Sequence, residues 1–317
     1  MQYIDLTRPN IIAAKDVHFS FMSYIIKKKL LGTGYSGLPP KSNMNQINKV
    51  SGVKASIHNF LIKDDNLRDV LIGSPDVLEK IKDKFSSRGE KKSLNLLLNY
   101  DSWCVTKSDS TYRFYNAYNL AENLDIPTCI YCNRIYTKTV TSELGKKVTR
   151  PTFDHWFPQS EYPLLALSFH NLIPSCSVCN SGVKGSATFS LNTHFHPYYK
   201  YPGATFDYKF SYTLNALRKY QFRIKTPNSF SENSVKAFAL EDIFKAHEDE
   251  ISDLIRIKET YSDRYIQILE DSVLKTVRVS KKEVYRLAFG VHFHEKDFDR
   301  RPLSKMKKDI LTELGVI

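Results

Sequence analysis

Between residues 240 and 269 apolar side chains recur mostly at three- and four-residue steps. They are Leu240, Ile243, Phe244, Ile251, Leu254, Ile255, Tyr261, Tyr265, Ile268 and Leu269, with His247 in the same stripe. That spacing puts them on one face and predicts a long amphipathic helix or a pair of helices. A last helix carries Leu303, Met306, Ile310, Leu311 and Leu314. Both stripes read as core faces, with His247 a packing residue rather than a ligand. The first hundred residues read as mainly helical with polar interruptions, among them the turn-rich Pro39-Pro40 region and the break at Ser86 to Gly89. A short helix is expected over Asp76 to Phe85 after the Ser74-Pro75 start signal, and another over Thr111 to Asn123.

The period changes in the middle of the chain. Arg134 to Val140 and Lys147 to Phe153 are β-branched and aromatic, separated by the turn-prone Glu143-Leu-Gly145. They predict two strands, a hairpin with a proline-bearing edge. Tyr162 to Phe169 reads as one or two helical turns. Phe206 to Leu214 and Tyr220 to Lys225 predict a second strand pair. The fold class expected is α+β, a small central module flanked by mainly helical regions. The divisions fall at residues 1–125, 126–200 and 201–317.

Composition narrows the class. With 317 residues, 42% hydrophobic and 25% charged, the chain can bury a sizeable core and is not a disordered segment. No apolar run approaches the roughly 18 residues of a membrane span, and the N-terminus lacks the layout of a signal peptide. Five cysteines are too few and too odd in number for a secreted disulfide framework. The expectation is a cytoplasmic protein without membrane attachment. A formal charge of +12 favours a polyanionic partner, nucleic acid first. Residues 129–200 are the most one-sided, with three acids among 72 residues.

Four of the five cysteines form two pairs of equal spacing, Cys129-Ile-Tyr-Cys132 and Cys176-Ser-Val-Cys179. A turn across two residues lets both thiolates of a pair face one ion, and two such turns close a four-thiolate zinc site with no open position. A redox pair or ordinary core cysteines are the other readings. Two pairs bracketing 43 residues favour structural zinc. Cys104 is left over and reads as packing.

Around these pairs stand Asp154-His155, then His170-Asn171-Leu-Ile-Pro174, then Asn180 directly after Cys179, then Lys184. The ordered string resembles the HNH nuclease motif, the ββα-metal fold with a zinc knuckle beside it, over about residues 129–184. The family often has histidine as its last metal ligand, where this chain has Asn180. Pro158, His196-Pro-Tyr198, Phe289-Gly290 and Arg301 to Asp309 are similar to HNH nucleases of bacterial anti-phage systems of the Septu and retron-linked kinds.

The resemblance implies His155 as general base, Asp154 and Asn180 as ligands of one Mg²⁺ or Mn²⁺, and Asn171 as the residue that orients the histidine. Imidazole and hard oxygen donors suit those tasks. Lys184 and His196 are the candidates for contact with nucleic acid, with packing against Tyr198 as the other reading of His196. DNA ranks above RNA as substrate. The flanks imply docking to a partner such as an ATPase or a reverse-transcriptase complex. Two other readings stay open: an RNA-cleaving, tRNA-directed effector, and a zinc-stabilised nucleic-acid-binding module without catalysis.

Overall fold

Helix α1, Pro9–Leu31, runs through the N-terminal part of the protein. Proline opens it at a position whose N–H would have no helical partner, and Gly32, at φ 62°, ends it. It buries Ile11, Ala14, His18, Met22, Ile25, Ile26 and Leu30, a stripe at helical spacing. The computed structural model describes residues 1–105, 111–201, 206–217, 219–261, 265–269, 271 and 280–317. Around α1 lie α2 (Ala55–Leu61), α3 (Asp64–Ile72), α4 (Pro75–Ile81), α5 (Arg88–Leu98), α6 (Tyr100–Cys104) and α7 (Ala117–Leu124). Helix α5 starts with a reciprocal cap: the Glu90 amide donates to the Ser87 hydroxyl, and the Ser87 amide donates to the Glu90 carboxylate. The helix expected over Thr111 to Asn123 is a single turn, Thr111–Arg113, followed by α7.

The central region carries short antiparallel pairs. Strands β1 (Val140–Thr141) and β2 (Lys147–Thr149) form a small exposed hairpin. Strand β3 (Thr152–His155) pairs with β4 (Leu172–Ser175) in the register Thr152↔Ser175 to His155↔Leu172. Two expectations need correction here. Arg134 to Val140 is not a strand along its length; outside β1 its one bridge is Tyr136 with Thr128. The run from Lys147 to Phe153 divides at Arg150-Pro151 into β2 and β3, because proline cannot donate to a ladder. After β4 a wide helical segment, Val178–Lys184, leads back toward β3.

Strands β5 (Lys209–Leu214) and β6 (Tyr220–Lys225) form the expected second pair. Helix α8 (Ser229–Ala237) follows. The expected long helix is divided into α9 (Leu240–Phe244), a turn at Lys245–His247, α10 (Glu248–Tyr261) and α11 (Tyr265–Ile268). Helices α12 (Lys281–Phe289) and α13 (Ser304–Glu313) complete the described elements. Helix α13 packs on β5, where the Phe210 amide donates to Asp309 at 3.0 Å and the Ser211 hydroxyl to Glu313 at 2.8 Å. The fold is therefore helical with small antiparallel sheets, an α+β class. One continuous hydrophobic cluster reaches from Ile4 through Trp156 and Phe169 to Leu311. Among the described residues no helix is long and apolar enough to cross a membrane.

Candidate functional site

The two cysteine pairs meet. One ligand atom from each of Cys129, Cys132, Cys176 and Cys179 lies within 4.8 Å of the others, and all four residues are buried. The Cys132 and Cys176 sulfurs are 4.0 Å apart. Tetrahedral ligation at a Zn–S length of roughly 2.3 Å places sulfurs about 3.8 Å apart, so this set fits a structural zinc. Burial raises the Cys129 thiol pKa, Cys132 and Cys176 add to the effect, and Cys179 opposes it. Four thiolates at one buried point therefore need a cation to neutralise them. Backbone amides support the sulfurs: Arg134 N–H donates to Cys132 at 3.4 Å and Cys179 N–H to Cys176 at 3.5 Å. The first turn closes through Asn133, which sits at φ 51° and donates its amide to the Cys129 carbonyl at 2.8 Å. Asparagine tolerates this left-handed conformation better than most residues.

Asp154 and His155 end β3 and point to opposite sides of the strand, as neighbours in a strand do. Asp154 is buried. Its Oδ2 accepts from the Tyr131 hydroxyl at 2.6 Å and its Oδ1 from the Lys184 ammonium at 3.0 Å. Burial pushes the Asp154 carboxyl up, and Lys184 and Tyr131 oppose that shift. His155 is half-buried, and its ring sits edge-on to Tyr100 with centroids 4.4 Å apart. Its Nε2 lies 2.9 Å from the Ala166 carbonyl. A carbonyl only accepts, so Nε2 carries the proton and the neutral ring keeps the Nδ1 lone pair. Burial pulls the His155 pKa down to about 4; the Ala166 bond opposes this and Lys184 adds to it. The imidazole is thus neutral at pH 7, and the same burial disfavours its protonated form.

Asn171 is fully buried and clamps the chain that carries this carbonyl. Its Oδ1 accepts from the Phe157 amide at 2.7 Å, and its Nδ2 donates to the carbonyls of Phe157 and Leu165, both at 3.1 Å. Leu165 immediately precedes Ala166, so Asn171 holds the acceptor that fixes His155. Asn180 is half-buried on the Val178–Lys184 segment, and its carboxamide makes no hydrogen bond among the described residues. The amide of Gly185 closes on the Asn180 carbonyl at 3.0 Å, a five-residue step. In so wide a turn residues four apart share a side, which sets Asn180 on the same side as Lys184.

Lys184 and His196, the candidates for contact with nucleic acid, are both buried. Lys184 is buried, donating to Asp154 and, at 2.6 Å, to the His155 carbonyl. His196 is fully buried beside Trp156, with ring centroids 4.6 Å apart, and its Nδ1 accepts from the Tyr198 amide at 3.1 Å. Tyr131 is the site residue that the pattern of the chain hides, since between two cysteines it reads as a spacer. Cavities of about 660 Å³ beside Gln2, Asp207 and Asp299, and about 430 Å³ beside Glu79 and Tyr201, are lined by neither Asp154 nor His155. No family model, curated protein or solved structure matches this chain.

Proposed function

We propose that the protein is a metal-dependent endonuclease of the HNH kind that hydrolyses phosphodiester bonds in DNA. The observation that carries the reading is the fixed His155 ring: Nε2–H is tied to Ala166, Asn171 holds that segment, and Nδ1 remains free as a base. The order of strand, connection, strand and helical segment over residues 152–184, beside a four-cysteine cluster, supports it. In this reading one zinc joins Cys129, Cys132, Cys176 and Cys179 and holds the end of the module that carries Asn180.

Asp154 and Asn180 would hold Mg²⁺ or Mn²⁺. The fit rests on Asp154, a buried carboxylate that already faces a cation, and on the unpaired carboxamide of Asn180. When bound, the ion supplies charge neutralisation at the phosphate and at the departing 3′ oxygen. His155 takes a proton from the attacking water, which leaves a 5′-phosphate and a 3′-hydroxyl. A role as effector of an anti-phage system, gated by an ATPase or reverse-transcriptase partner, belongs to the same proposal.

A second reading, a zinc-stabilised binding module without catalysis, is favoured by one observation. Both Asp154 oxygens are already engaged. The test is cleavage of plasmid, linear DNA and total tRNA with Mg²⁺, Mn²⁺ or EDTA, beside a His155→Ala variant of verified zinc content and fold. Loss of a general base lowers the rate by roughly 10²–10⁴-fold. Metal-dependent cutting of DNA that falls by that amount in the variant is expected. Cutting of tRNA alone selects the RNA reading, and no cutting by folded wild type selects the binding module.

A further inference from the structure

The Asp154–Lys184 ion pair is almost free of solvent, with side chains 2% and 1% exposed. The Lys184 ammonium is held twice, by Asp154 Oδ1 at 3.0 Å and by the His155 carbonyl at 2.6 Å, and it lies 5.3 Å from the centre of the Phe189 ring. Tyr131 holds the other carboxylate oxygen at 2.6 Å and is itself stacked on Phe238, centroids 4.0 Å apart. A divalent cation arriving at Asp154 meets a carboxylate whose charge is already matched. Two cations on one buried carboxylate repel strongly, because little water screens them.

The surroundings of Lys184 differ on its two sides. Asp154 belongs to β3, paired on β4. Lys184 ends the Val178–Lys184 segment, and its neighbours Ser181, Gly182 and residues 185–188 are exposed. Gly185 stands at φ 52°, with nothing within 4 Å of where a Cβ would be. The backbone that flanks Lys184 is thus exposed on both sides, whereas Asp154 lies within a paired strand.

We propose that Lys184 is the resident counter-ion of Asp154, which a divalent metal must displace, and that Lys184 thereby sets the metal affinity of the site. Tyr131 is the positioning residue that keeps the carboxylate in place during the exchange. The proposal rests on the nuclease reading for the arrival of a divalent ion at Asp154. It departs from the expectation that Lys184 contacts phosphate.

The test is Mn²⁺ binding by the full-length, zinc-loaded protein, read as loss of the free-Mn²⁺ electron spin resonance signal. Lys184→Met is expected to bind Mn²⁺ at least about tenfold more tightly than wild type, because the competing occupant is gone. Adding Asp154→Asn to Lys184→Met is expected to abolish that gain. Should Lys184→Met fail to fold by far-ultraviolet circular dichroism, Lys184→Gln takes its place; it can still donate to the His155 carbonyl but carries no charge. Equal or weaker binding by the neutral variant, or no binding by either protein, overturns the proposal. Tighter binding in the variant with no cleavage of DNA or tRNA by any form leaves the counter-ion role standing and removes the nuclease reading.

Discussion

His18 lies at the middle of α1 with no solvent exposure. Its Nε2 donates to the Leu167 carbonyl at 2.8 Å, and its Nδ1 accepts from the Tyr115 hydroxyl at 3.2 Å. One ring thus connects the N-terminal helices to the segment beside the candidate site. Burial holds its pKa down to about 4, and His170 is held at about 4 in the same way. In the unfolded chain both return to roughly 6.5. Between those values the unfolded state binds protons that the folded state refuses, so stability is full above about pH 6.5 and falls as pH drops toward 4. Each histidine removes on the order of 3 kcal/mol across that window. The urea midpoint of the wild type should therefore be lower at pH 5 than at pH 7.5. His18→Gln, which does not titrate, should show a smaller fall; an equal fall would rule out His18 as a source. At this scale Asp154, His155 and Asn171 stand out in the chain by their order between the two cysteine pairs. Tyr131 does not, because its hydroxyl reaches Asp154 only once β3 lies behind the first cysteine turn.

Among the elements, the two cysteine turns do different work. The first is a loop closed by Asn133, whose Nδ2 donates to the carbonyls of Phe298 at 2.8 Å and Arg301 at 3.1 Å. The second leads from β4 into the segment that carries Asn180 and Lys184. One metal held by both turns would fix that segment against β3. Removing the metal with a chelator, or by Cys176→Ser, should release it, since binding energy at such a site is folding energy. Hydrogen exchange read by mass spectrometry should show residues 129–133 and 172–184 losing protection before the α1 core does. Unchanged protection there, at confirmed loss of zinc, would count against a structural ion. Legibility was mixed at this scale. Both cysteine turns and β5–β6 follow from spacing and alternation. Strand β4 does not, because Pro174 argues against a strand, yet it pairs with Phe153 on a two-stranded edge where a missing N–H is tolerated.

The whole molecule closes around residues 126–200 from both sides. The Gln2 amide donates to the Ile130 carbonyl at 2.9 Å and the Ile4 amide to Pro197 at 2.8 Å. Thr128 donates to the Asp299 carbonyl at 2.8 Å, and the Leu303 amide donates to Asn133 at 2.6 Å. His170 reaches the Gly73 carbonyl at 2.8 Å, and the Ser168 hydroxyl bonds the Val70 carbonyl. A fragment of residues 126–200 loses all of these partners and uncovers Phe157, which lies under Lys82, and Phe169, which packs on His18, so it should not fold alone even with zinc. Its proton–nitrogen correlation spectrum should be poorly dispersed; a dispersed spectrum would show a self-sufficient module. The sequence by itself determined the cysteine cluster, the order of Asp154, His155 and Asn171, and the α+β class. Each of these depends on local spacing or on periodicity, which survive in the linear chain. Only the tertiary structure decided that Lys184 faces Asp154 and not solvent, that His196 is core, and that both flanks complete the central region. Those outcomes depend on which surfaces are brought together and dried, and no local pattern encodes the partner of a buried charge.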